Sequence, residues 1–542
     1  MGRVVRTDGA HGRRYAVLVG AAALLTGTLA GCTGPAAGND PTPAEVATPV
    51  RSVTVLDDPS PTELSVAVSR HLFAATPAVI VAAATDPRGL HQAATLAAQR
   101  HVPMLVAGTA AGTGRAGGAP SGSPSAADSP PATGGAATHA STAALGAELR
   151  RLHPQNVLTV DPAAQRAVRS ALGSASGATA VRTDPAAVPT TRPARGLPGV
   201  TVLVHAGGDQ ATRAGAAAAT ATARAAGARV VPVHGDDPRA DPAAIDALAH
   251  RDPAAVLAAG TGFGPADRLT ERLAVAVAGR QLPGGGQVMF PGRRLVALYG
   301  HPGTPVLGAL GAQDLAASIA RAKRVAQPYR TGGVPVVPTF EIIATTAQAS
   351  PGPDGRYSAV SSVASLRPWV RAAGAAGMYV VLDLQPGRAD LLDQAKRYRS
   401  LLALPYVGLA LDPEWKLAAG QRPLEQIGTV DASEINRVSG WLSGLTATHR
   451  LPQKLLVLHQ FQLSMIGHED RLDTGHDNLS LLIHMDGQGS PDLKDETWSG
   501  VVGARPDGVA LGWKNFCTKD HPMLSPGQTL AKQPRPDMIS YQ

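Results

Sequence analysis

The chain has 542 residues, of which 44% are apolar and 17% charged, and its mean hydropathy is close to zero. At roughly 100 to 200 residues per domain, this implies two or three domains with ample core, and it excludes both a polytopic membrane protein and a wholly disordered chain. The formal charge is +8, but the first 31 residues hold Arg3, Arg6, Arg13 and Arg14 against Asp8, leaving +5 for the rest. That is too mild a surplus to imply nucleic acid as a partner. Cys32 and Cys517 are the two cysteines, which excludes a disulfide framework and a cysteine-rich metal site.

Residues 1–31 read as an export signal. A basic stretch ending in Arg13 and Arg14 precedes an apolar, small-residue run from Tyr15 to Ala30, about as long as a signal core and short for a membrane span. The segment Leu29-Ala30-Gly31-Cys32 resembles the bacterial lipobox. That resemblance implies cleavage before Cys32, lipidation of its thiol, and a partner membrane reached through the lipid anchor on the outer face of the cytoplasmic membrane. Arg13-Arg14 leaves the export route open between the general and twin-arginine pathways. Residues 32–51, rich in Pro, Ala, Thr and Gly, read as a flexible tether.

Beyond the tether, residues 52–290 alternate short apolar runs with helical stretches. Ala78 to Ala83, Met104 to Ala107, Val157 to Val160, Val200 to His205, Arg229 to Val233 and Ala254 to Ala259 are the strand candidates. Helical segments such as Thr142 to Leu152 and Asp241 to His250 separate them. Strands alternating with helices make parallel sheets, so a doubly wound α/β region is expected. Residues 108–141 are almost entirely Gly, Ala, Ser, Thr and Pro and read as a disordered insertion. Gly260 to Pro265 follows a strand but lacks the GxGxxG spacing and the Walker lysine, and Gly284 to Gly286 reads as a hinge. With "HVPMLVAG" at 101–108 and "LGAELRRLHPQNVLTV" at 145–160, the region resembles the cell wall-binding repeat 2 family. The resemblance implies noncovalent attachment to an anionic cell-wall polymer. The family's usual Phe-Pro-Asp turn is here Thr85-Asp86-Pro87-Arg88.

All five tryptophans and every lysine lie beyond residue 322, within a second region, 291–542. Seven apolar runs occur there: Leu295 to Tyr299, Val334 to Ile343, Met378 to Leu384, Tyr406 to Leu411, Lys454 to Phe461, Leu479 to Met485 and Val509 to Trp513. Helical segments fill most gaps, and a last unit ends at Met538 to Gln542. About 250 residues in that rhythm predict a (β/α)8-like barrel. The runs finish in chemically capable groups: His301, Glu341, Asp383, Asp412 with Glu414, His459, Asp486, and Lys514 with Asn515. Barrel active sites form at the C-terminal ends of the strands, so this convergence points to an enzyme.

The segment Val407 to Trp415 resembles the fourth-strand Asp-Gly-x-Asp-x-Asp-x-Glu motif of family 18 chitinase-like glycoside hydrolases in its Gly408, Asp412 and Glu414. Val407 and Ala410 replace two of the family's aspartates. The resemblance implies that Glu414 protonates a glycosidic oxygen, with Asp412 tuning it. Two residues apart on a strand share a face, so mutual repulsion would raise one carboxyl. Asp383 is the expected second carboxylate, since glycoside hydrolysis usually takes a pair. Trp415, Trp513 and Tyr379 are expected to stack on sugars, and Glu341, His459 and Asp486 to bind substrate. Structural alternatives stay open: Asp412-Pro413 as a turn opener, Asp383 as a helix cap, and the tryptophans as core. His301, His459 and Asp486 could form a metal set, but His-x-His and HExxH spacings are absent, and no metal or cofactor is implied. Cys517 is expected to be buried. Two functions compete: a glycosidase acting on a cell-wall polymer or other extracellular glycan, and a non-catalytic scaffold that binds one. A solute receptor with two α/β lobes is the third reading.

Overall fold

The computed structural model describes residues 44–47, 52–108, 134–173, 179–191 and 195–542; the segment read as an export signal, most of the stretch read as a tether and residues 109–133 lie outside them. The first sheet contains β2 (Ala78–Ala83), β3 (Met104–Ala107), β4 (Asn156–Thr159) and β5 (Ala180–Arg182), all parallel, in the order β3-β2-β4-β5. A second contains β1 (Val53–Leu56), β6 (Val200–His205), β7 (Arg229–Val233) and β8 (Ala255–Ala259), also parallel, in the order β1-β8-β6-β7. Read from the other edge, the second order repeats the first, with its last position filled by the strand from the chain's start. The α/β class is as expected, but the strands divide between two sheets instead of joining one.

Aspartate followed by proline starts three of the seven α-helices among the described residues of this part. Asp86, Asp161 and Asp241 accept backbone N–H bonds at the starts of α2 (Pro87–Arg100), α4 (Pro162–Leu172) and α6 (Pro242–Leu248). The carboxylate satisfies an orphan donor, and proline's missing N–H costs nothing at that position. Helix α1 (Pro61–Leu72) and α5 (Gln210–Ala225) join the two sheets, because Leu64, Val66 and Ala219 share one core with Val79 and Leu105 of the first and Val202 and Leu257 of the second. The exposed edge of β3 is closed by side chains: Met104 N donates to Thr222 Oγ1 of α5, and Val106 N to Ser65 Oγ of α1. An unpaired strand edge is thereby covered. Helix α3 (Gly134–Leu152) begins inside the stretch read as disordered, so residues 134–141 correct that expectation. Helix α7 (Ala266–Ala278) completes this part. The Gly284 to Gly286 run is no hinge, because Arg293 donates to the carbonyls of Pro283 and Gly285 and pins the turn.

Eight parallel strands then close a barrel: β9 (Arg294–Gly300), β10 (Val336–Ala347), β11 (Tyr379–Leu384), β12 (Val407–Leu411), β13 (Lys454–Gln460), β14 (Leu479–Met485), β15 (Ala510–Asn515) and β16 (Met538–Tyr541). Neighbours pair in chain order, and β16 pairs with both β15 and β9 to complete the ring. Outside it run α8 (Leu315–Ala326), α9 (Val363–Ala375), α10 (Leu391–Arg397), α11 (Ala432–Thr448), α12 (Pro491–Ala504) and α13 (Pro526–Leu530). Alternate residues of each strand serve two cores. Leu298, Ile342, Leu382 and Ile483 pack under the helices, while Ala297, Val381, Val457 and Leu482 fill the lower interior, as the period of two requires. Gly408 on β12 leaves no room for a side chain: a Cβ there would sit 2.7 Å from Leu455 O and 2.9 Å from Tyr379 Oη.

Candidate active site

A cavity of about 530 Å³ opens at the C-terminal ends of the barrel strands, with Tyr299, Gln385, Asp412, Glu414, Trp415, Phe461, Asp486 and Lys514 in its wall. Below it the interior is polar and buried. His459, wholly buried on β13, bridges two carboxylates: its Nε2 lies 2.9 Å from Glu341 Oε1 and its Nδ1 3.0 Å from Asp486 Oδ2. Burial opposes a charge on this ring, but Glu341 and Asp486 prevail and raise its pKa well above the usual value, so it is an imidazolium. In return His459 holds Glu341 and Asp486 below the usual carboxylate range against the upward pull of burial. Lys514 Nζ adds its charge 3.7 Å from Asp486 and sits 3.7 Å above the Tyr299 ring. His484 stacks on His459 at 5.3 Å and stays neutral, since burial pushes its pKa down to about 3.

The other three acids behave oppositely. Tyr299 donates to Asp383 Oδ2 at 2.8 Å, yet burial lifts Asp383 to about 6. Asp412 is raised well above its usual value by burial and then by Asp383. Glu414 is raised to about 7, by burial first and by the Asp486 carboxylate next. Two populations of carboxyl therefore meet at this end of the barrel, a pair held low by His459 and a set raised by burial. Such divergence is the usual signature of assigned acid and base roles.

Asp412 is informative for what it does not do. The other Asp-Pro helix starts described above use the aspartate as a cap, but Asp412, before the short helical turn Pro413–Trp415, makes no side-chain cap bond. Its Oδ1 is buried without a hydrogen-bond partner. The strand ends at Leu411, so Asp412 and Glu414 are brought together by a turn and not by strand alternation.

Of the residues singled out from the sequence, Asp412, Glu414, Trp415, Asp486 and Lys514 line the cavity. Asp383, Glu341 and His459 are each fully buried. Strand β10 runs on to Ala347, which leaves Glu341 inside the barrel and not at its lip. Tyr379 is misplaced as a sugar platform: it starts its strand, lies in the lower apolar layer, and accepts Leu455 N through its hydroxyl at 3.3 Å. Trp513 is misplaced too, because Lys514 takes the inward position and parity turns Trp513 out against Trp498, at 5.6 Å between rings. His301 bonds Ser361 Oγ at 3.0 Å. Cys517 is exposed, contrary to expectation. Tyr299, Gln385 and Phe461 were not singled out, although Tyr299 ends an aliphatic run at the same level as the other polar strand ends. Among the described residues no group of three or more His, Cys, Asp or Glu side chains is arranged to hold a metal ion, and no helix is long and apolar enough to cross a membrane.

No protein-family model and no curated protein matches the chain. Among solved structures it is similar to Cwp6 from Clostridium difficile, at 12% identity and a TM-score of 0.28, over 56% of this chain and 64% of that one. The chain thus spans under two thirds of that structure's length, and a likeness this weak carries no argument about fold or function.

Proposed function

We propose that the barrel is a glycoside hydrolase-like enzyme of the bacterial cell envelope, acting on a wall or other extracellular glycan. The observation that carries this reading is the pairing of Glu414, protonated to about pH 7, with the ionised Asp486 across one cavity wall. A proton donor and a standing negative charge are what cleavage of a glycosidic bond needs: the first protonates the leaving oxygen, the second stabilises the positive charge that grows on the sugar ring or directs water to it. His459 and Lys514 keep Asp486 ionised. Asp383 and Asp412, both raised by burial, lie beside the pair. Trp415 and Phe461 offer apolar ring faces to a sugar.

Purified full-length protein should release reducing sugar from wall polysaccharide or peptidoglycan, and Glu414→Gln should abolish release while leaving the melting temperature within a few degrees. Turnover in the parent should fall as pH rises through about 7, where Glu414 loses its proton. Release that survives in Glu414→Gln would remove that residue as the acid; glycan pull-down without release by the parent would make the barrel a binding platform.

Placement at the outer face of the cytoplasmic membrane rests on the lipobox-like sequence at Cys32, and wall attachment on the resemblance of residues 52–290. Cys32→Ala should lose incorporation of a clickable palmitate analogue and shift the protein from the membrane to the soluble fraction. An unchanged membrane fraction would refute the anchor.

A further inference from the structure

The mouth of the barrel is short of positive charge. Its wall holds Asp412, Glu414, Asp486 and Glu496 against Lys514 and Lys519, and Glu341 and Asp383 lie beneath with His459 as their charged partner, His484 being neutral. Lys514 is already committed to Asp486 and the Tyr299 ring. Burial raises Asp412 and Glu414 in this wall, which favours their uncharged forms.

A second observation points to what should fill it. Asp412 and Asp486 line the cavity at 3% and 7% exposure, and each has a buried Oδ1 with no donor. Leaving a buried acceptor unpaired is costly, and more so for a charged one. The hydroxyls of a neutral sugar could donate to these oxygens, but they would leave the charge deficit untouched. An ammonium group supplies three donors and the missing charge together.

We propose that the mouth is built for a cationic amino sugar, a glycan unit whose amine is free and protonated, with the Asp412 and Asp486 carboxylates as the acceptors of that amine. This rests on the glycosidase reading of the same site and adds the substrate class. A cation arriving at Asp412 displaces its proton to solvent. The groups that bear on Asp412 are Asp383 on β11, His459 on β13, Asp486 after β14 and Glu414 on its own turn.

The test is titration calorimetry of full-length Glu414→Gln protein, which does not turn substrate over, with tetramers of glucosamine, N-acetylglucosamine and galacturonate below neutral pH. The glucosamine tetramer should bind roughly tenfold or more tightly than its acetylated counterpart, as a charge-assisted contact requires, and that advantage should shrink as salt rises. Its binding enthalpy should also depend on the protonation enthalpy of the buffer, reporting proton release, and Asp412→Asn placed in the same background should abolish both effects. Equal or tighter binding of the acetylated or uronate tetramer would overturn the amine specificity and leave a glycan site standing. Failure of all three to bind would overturn the inference too, and the glycosidase reading is then judged separately by the reducing-sugar assay.

Discussion

Asp383 is wholly buried with one oxygen bonded to Tyr299 and the other to nothing, and its pKa of about 6 against an ordinary 3.8 ties stability to pH. A carboxyl raised in the folded state holds its proton more tightly there than in the unfolded chain. The stability this contributes is fully present below pH 3.8 and is lost as pH rises through about 6. At about 1.4 kcal/mol per unit the loss is roughly 3 kcal/mol. Asp383→Asn, which can still accept from Tyr299, should flatten the fall in melting temperature between about pH 4 and 6; a parallel fall in both proteins would show that Asp383 is not its source. At this scale the acids themselves were legible, because aspartate and glutamate ending aliphatic runs are out of place unless they serve a site. Tyr379 and Trp513 were misread because a residue's depth and face depend on where its strand starts and on the parity of its neighbours, and an error of one position exchanges core for cavity.

Helix α12 is tied to the wall of the mouth by a buried ion pair. Lys494 Nζ donates to Asp520 Oδ2 at 2.5 Å and to Lys514 O at 2.6 Å, and Asp520 also accepts Phe516 N at 2.9 Å. The pair thus shapes the segment that presents Phe516 and Lys519 to the cavity. Removing one member of such a pair strands the other charge in a dry site, at a cost of about 3–5 kcal/mol. Lys494→Met should therefore lower the melting temperature by several degrees and weaken glycan binding; a stability within a degree of the parent would show that the pair is dispensable. The strands themselves were readable from sequence, since elements covered on both faces appear as unbroken aliphatic runs. The Asp-Pro pairs stand in the sequence, but their use as helix caps, and the one that fails to cap at Asp412, needed coordinates to be told apart.

Across the whole molecule, the α/β part and the barrel belong to one compact unit, Thr42–Gln542. Asp477, in the loop before β14, accepts from Arg239 at 2.7 Å and from Arg272 of α7 at 2.6 Å. Gln453, just before β13, donates its backbone N–H to Gln287 O at 2.8 Å and accepts Met289 N at 2.7 Å. Asp477→Ala should cost about 1–3 kcal/mol, less than a fully buried pair because Asp477 is partly exposed and Arg239 keeps Asp237, and calorimetry should resolve two unfolding transitions where the parent shows one. A single shifted peak would mean that the apolar contacts alone couple the halves. The split into two sheets escaped the sequence because parallel strands look alike and nothing local to Val53 announces that it pairs with Val256.

The ring of the barrel is closed by β16, which fits between β15 and β9, with Met538 beside both Gly512 and Leu295. Synthesis delivers that strand after the other seven. Until it arrives the barrel is an open sheet with two bare edges, the geometry that recruits a neighbouring chain. A nascent or proteolytically trimmed molecule lacking residues 538–541 is therefore a template for aggregation, however well its other strands have paired. The last strand sets the moment at which the protein becomes safe among its own copies.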